Sequence, residues 1–125
     1  MSRALLLLPT LLLAGCGTDD PAACPAVDYA AVIVRPLDSL SGALVPATIR
    51  GTIIEGAFQD TLAPVEWADA GGPATGYGAG VGRPGTYTVT VTAPGYALWS
   101  RAGVVASASS CGVVPVRLDA QLQTP

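Results

Sequence analysis

Apolar and polar positions follow two patterns along this chain. Residues 4–15, "ALLLLPTLLLAG", form a nearly unbroken apolar run. From about residue 30 onward they alternate in short runs with a period of two, the signature of half-buried strands rather than helices. The clearest run is "TYTVTVT" (86–92), which predicts Tyr87, Val89 and Val91 on one face and Thr86, Thr88, Thr90 and Thr92 on the other. "ATIRGTIIE" (47–55) puts Ala47, Ile49, Gly51 and Ile53 together, opposite Thr48, Arg50 and Thr52. "VVPVRLDAQL" (113–122) predicts Val114, Val116, Leu118, Ala120 and Leu122 inward. "AAVIVRP" (30–36) and "YALWSRAGVV" (96–105) add two more strands, and "TLAPVEWA" (61–68) a weaker one, broken by Pro64 and therefore an edge.

Turn-forming residues separate these runs: "LDSLSG" (37–42), "RPG" (83–85) and "APG" (93–95). The Gly-rich stretch 70–82 predicts a mobile loop, a place where sandwiches commonly carry binding. Fifteen glycines and 11 prolines leave little room for helices. The expected fold is all-β, a small two-sheet antiparallel sandwich of about seven strands, each with one face turned inward.

The amino terminus reads differently. Arg3 precedes the apolar run, and "LAGC" (13–16) ends it. Charge, run and small-residue site make residues 1–15 a secretory signal, too short to span a bilayer as a helix. "LAGC" resembles the bacterial lipobox, which implies cleavage before Cys16 and acyl chains such as palmitate on that cysteine. Gly17, rather than Asp, follows it, which implies outer-membrane residence where an organism has two membranes. "CGTDDPAACPAV" (16–27) is the lipidated cysteine and a short tether, and residues 28–125 the sandwich domain. The eight residues from Cys16 to Cys24 reach at most ~28 Å, so the domain sits near its membrane.

Cys24 and Cys111 remain, an even pair in an oxidising compartment, and predict one disulfide tying the start of the domain to its last strand.

"GVGRPG" (80–85) spells the glycine pattern of a dinucleotide loop. Such a loop must open a helix, yet a strand signal follows, and Pro84 lacks an N–H that phosphate would need. "RPG" is predicted instead as a turn with Pro84 at its second position and Gly85 at its third, with positive φ. The stretch "PGTYTVTVTAPGY" resembles the C-terminal signature of the carboxypeptidase regulatory-like domain, through Pro84, Gly85, Tyr87, Val89, Val91, Gly95 and Tyr96. "VRPLDSLSGALVPATI" is similar to that family's opening, with Val34, Gly42, Val45, Ala47 and Ile49 in the matching places. The resemblance covers about residues 30–105. It implies a transthyretin-like (immunoglobulin-like) sandwich in an accessory, non-catalytic role, and carries over no catalytic residues.

Composition narrows the chemistry. The chain has six arginines, no lysine, no histidine and a net charge of −3. The absence of histidine excludes Ser-His-Asp and Cys-His catalysis and imidazole-ligated zinc. Scattered arginines on an acidic chain offer no surface to nucleic acid. No cofactor is implied, nor a metal. Trp67, Tyr77, Tyr96 and Trp99 are candidates for a stacking platform toward sugar rings or a protein, against the commoner fate of core packing. Trp99 lies on the face opposite Tyr96 and Leu98, so it is exposed if those two point inward. Asp28, Asp38, Asp60, Glu66 and Asp69 are loop carboxylates without calcium-loop spacing. The expected function is a membrane-anchored envelope lipoprotein whose sandwich binds an envelope protein or polysaccharide, or serves as structure. The alternatives are a small Asp/Glu-dependent envelope hydrolase, or a spacer or assembly subunit presenting an edge strand.

Overall fold

The computed structural model describes Cys24 and residues 28–125. The predicted signal (1–15), Cys16 and the tether apart from Cys24 lie outside the described residues. Among the described residues there are ten strands and no helix. They are β1 (Val32–Asp38), β2 (Arg50–Glu55), β3 (Phe58–Thr61), β4 (Ala63–Trp67) and β5 (Ala74–Ala79), followed by β6 (Gly85–Thr92), β7 (Trp99–Ala106), β8 (Ala108–Ser109), β9 (Gly112–Val113) and β10 (Val116–Leu122).

Two four-stranded sheets carry the fold, ordered β10-β1-β5-β4 and β3-β2-β6-β7, with β8 and β9 as a separate ribbon. Their inner faces meet in one core. Val32, Val34, Tyr77, Ala79, Leu118, Ala120 and Leu122 come from the first sheet; Ile53, Tyr87, Val89, Val91, Val104 and Ala106 come from the second. Among the described residues no polar or charged side chain is buried, as expected of a core too small to repay desolvation. The alternation of β6 is seen as predicted, with Tyr87, Val89 and Val91 buried and Thr86 and Thr92 exposed. Thr88 and Thr90 are half-buried, and the Thr90 hydroxyl shares a 2.9 Å hydrogen bond with that of Thr52 on β2.

Several expectations are corrected. The sheets are not wholly antiparallel: β10 runs parallel to β1, in a register from Val32↔Val116 to Asp38↔Leu122. The ribbon returns the chain to the end where β1 begins, and Val116 N–H bonds the Ala31 carbonyl there. Cys24 is disulfide-bonded to Cys111 as predicted, with Cα atoms 5.2 Å apart. Cys111, however, sits between β8 and β9 rather than on the last strand. Val114 is 51% exposed while Val113 is buried. Pro115 interrupts the ladder, so the alternation of 113–122 restarts at Val116.

The 61–68 segment is two strands in different sheets. The break falls at Leu62, whose buried side chain marks the crossing, and Pro64 lies on the edge strand β4. Much of the Gly-rich stretch 70–82 is not a loop: residues 74–79 form β5, between β1 and β4. The turn before β6 also moves. Arg83 N–H bonds the Gly80 carbonyl, so the turn spans 80–83 with Gly82 third at φ +67°, while Gly85 is already strand.

Candidate functional site

The outer face of the first sheet gathers the polar and aromatic groups that the core leaves out. Because β1 and β10 are in parallel register, Ile33 lies beside Arg117 and Arg35 beside Asp119. Arg35 donates two hydrogen bonds to Asp119, at 3.0 and 3.1 Å. They hold the Asp119 carboxyl below the usual carboxylate range and raise the Arg35 guanidinium. Arg117 reaches across the sheet to Glu66 on β4, at 2.6 Å. That reach crosses β1 and β5, and it is open because β5 presents glycine there. A Cβ at Gly76 would come within 2.7 Å of the Glu66 carboxylate, and one at Gly78 within 2.8 Å of the Ala30 side chain. These pairs are solvent-exposed, so they shape the face more than they stabilise it.

Beside the Arg117–Glu66 pair lies a groove of about 440 Å³, with Tyr29, Val65, Trp67 and Val81 around it and Ala30 and Ile33 beneath. Tyr29 is 50% exposed and Trp67 54%. Two half-bare aromatic rings lining one groove are unusual for a chain with so few aromatics. Asp28, Glu66 and Arg117 supply its polar rim. A second hollow, sharing Val65, Glu66 and Trp67 with the groove, is bounded by the turn Asp69–Gly72.

The predicted platform does not assemble as expected. Trp67 is exposed in the groove, but Tyr77 is a core residue at 6% exposure, its strand face set by pairing with Val34. Trp99 is in the other sheet and packs against the core, with the Arg101 guanidinium 5.1 Å from its ring centre. Leu98 is the exposed neighbour instead, at 65%. The turn at Ala93–Tyr96 and the bond from Ala97 N–H to the Gln123 carbonyl reset the alternation before β7 starts. Tyr96 braces the first β1 turn, its hydroxyl donating to Asp38 at 2.8 Å. Asp38 also accepts the Ser41 and Leu40 amides. Ser41's amide first, then Tyr96, holds Asp38 below the carboxylate range, and Asp38 in turn raises Tyr96.

The residues that sequence reasoning missed are Tyr29 and Arg117, with Val65 and Val81 lining the same groove. A signal existed for Tyr29, an aromatic beside Asp28 just ahead of a strand; Arg117 carried none, since its partner is 51 residues away. The acids expected in loops are spread out, and three are on strands: Asp38 ends β1, Asp60 is in β3 and Glu66 in β4. Asp60 accepts the Gly80 amide, and no cluster of three metal-ligating side chains occurs among the described residues.

The dinucleotide-like glycines form an internal corner. Glu55 accepts the Thr86 amide and, at 2.9 Å, the Arg83 guanidinium, which lies 3.8 Å over the Phe58 ring. Tyr87 hydroxyl donates to the Arg83 carbonyl. Thr86's amide first, then Arg83, lowers the Glu55 pKa. The amide that follows Gly85 is thus already bonded to an anion belonging to the chain itself.

Compared with known families and curated proteins, the chain matches no family model and no curated sequence.

Proposed function

We propose that this chain is an exported envelope lipoprotein, held on its membrane by acyl chains on Cys16, whose sandwich is a non-catalytic binding or structural module of the carboxypeptidase regulatory-like kind. The "LAGC" segment supports the anchor and the Cys24–Cys111 disulfide supports an oxidising compartment. The observation that carries the binding role is the groove with Tyr29 and Trp67 half exposed in its wall. Rings of that size are normally covered, and bare ones mark surfaces that meet something else. An outer-membrane address follows from Gly17, in an organism with two membranes.

Fractionation tests the anchor. Wild-type protein is expected in the detergent phase of a temperature-induced phase separation, and Cys16→Ala in the aqueous phase or as an uncleaved precursor. Two or three acyl chains, at about 0.8 kcal/mol per buried methylene, hold firmly. Mature wild-type protein in the aqueous phase overturns the anchor.

A further inference from the structure

We propose that the Tyr29–Trp67 groove binds a neutral saccharide chain, with pyranose rings stacked on the two aromatic side chains; this rests on the binding-module reading above and names its ligand class. A pyranose presents an apolar C–H face and a rim of hydroxyls. It therefore needs a flat apolar surface bordered by planar polar groups. Tyr29 and Trp67 are half exposed, with Val65 and Val81 beside them. Glu66 and Arg117 stand at the border, each oriented by the other, and Asp28 adds a second carboxylate. Carboxylates and guanidinium groups accept from or donate to two neighbouring hydroxyls at once.

Charge selects against anionic ligands. The charged groups of the lining are Asp28, Glu66 and Arg117, and Arg117, the one cation among the described residues there, is already paired with Glu66. A further arginine on this face, Arg35, is paired with Asp119. An acidic glycan or a phosphate would have to displace a carboxylate to gain a partner. A peptide adding as an extra strand meets a poor edge, since β4 contains Pro64 and its pairing shifts register twice between Pro64 and Trp67. Recognition here falls to side chains, which suits a sugar. The hollow at Asp69–Gly72 shares Trp67, Glu66 and Val65 with the groove, so one tryptophan serves both and a chain of several rings can pass over it.

The test uses the full-length protein in mild detergent. Tryptophan fluorescence and calorimetry follow titration with three neutral hexasaccharides: β-1,4-linked glucose, α-1,4-linked glucose and β-1,4-linked N-acetylglucosamine. Hexagalacturonate and an uncharged dodecapeptide are the controls. At least one neutral hexamer is expected to bind saturably. Trp67→Ala and Tyr29→Ala should each weaken it about tenfold or more, the equivalent of one lost stacking face. Trp67→Phe, which keeps an aromatic face, should retain most of the affinity, and Trp99→Ala all of it. Cooperative thermal melts with midpoints well above the assay temperature show that the variants are folded. Failure of all three hexamers to bind at millimolar concentration overturns the proposal, as does binding that Trp67→Ala leaves unchanged. Binding of hexagalacturonate or the peptide through Trp67 instead also overturns the proposal of a neutral saccharide, while leaving the binding-module reading standing.

Discussion

Strand β6 offers the sharpest test of the sandwich, because neighbouring residues on one backbone face opposite environments. Val89 and Val91 are both fully buried in the core between the sheets. Val→Ala removes two methyl groups, worth about 0.8 kcal/mol each in transfer terms, and leaves a cavity that the packed sheets close only in part. Val89→Ala and Val91→Ala are therefore expected to cost about 1.5–3 kcal/mol each. On the other face, Thr86 is exposed, so Thr86→Ala should stay within about 0.5 kcal/mol. Thr90 stands between these extremes. Its hydroxyl meets Thr52 across the strands, and its loss removes one modest hydrogen bond, about 0.5–1.5 kcal/mol. Replacing both threonines by valine removes donor and acceptor together, leaves nothing unsatisfied and should cost less than Thr90→Ala alone. The measurement is the urea midpoint of each variant with the disulfide intact, read at constant slope. Thr86→Ala or Thr90→Ala as damaging as Val89→Ala would mean that both faces of β6 are buried, and the two-layer account would fail.

Three further outcomes follow from the same structure. Cys24→Ala with Cys111→Ala opens a loop with a sequence separation of 87 and should lower stability by about 2–4 kcal/mol, and full alkylation of both thiols in unreduced native protein would refute the bond. Gly85→Val should lower the midpoint further than Thr86→Ala because a Cβ there would sit 2.7 Å from the Glu55 carboxylate oxygens; in a Glu55→Ala background the loss should shrink, and an undiminished loss would mean that backbone conformation, not Glu55, is the cause. The Asp38–Tyr96 bond should shape both ends of the pH profile: Asp38's lowered pKa gives stability that is present above the ordinary carboxylate range and lost as pH falls through the folded value, whereas Tyr96's raised pKa gives stability that is present below the ordinary phenol range and lost as pH rises through the folded value. Tyr96→Phe should flatten the alkaline limb and leave the Asp38–Ser41 part of the acid limb in place, and an unchanged alkaline limb would show that another group controls it.

The sequence by itself determined what depends on near neighbours. A period of two needs only the geometry of a strand, so the class of fold and the inward face of β6 were legible, as was the inward set Val116, Leu118, Ala120 and Leu122 of β10. Cys24 and Cys111, an even pair beside the lipobox-like cysteine, were enough for the disulfide. Where a local signal and a tertiary contact competed, the contact prevailed. Glycines in 70–82 read as a loop, yet β5 uses Gly76 and Gly78 so that Glu66 and Ala30 can pack against it, a reason visible only once β1 and β4 flank it. Gly85 read as a turn residue; its smallness in fact leaves room for Glu55, far earlier in the chain. The parallel course of β10, the burial of Tyr77 and the exposure of Leu98 likewise depended on which end of the sandwich each segment re-entered. Of the predicted aromatic platform only Trp67 reached the groove, because its other walls come from Tyr29, Val81 and Arg117, which no spacing along the chain connects. The four are brought together by strand order, and strand order is set by how two sheets close over one apolar core.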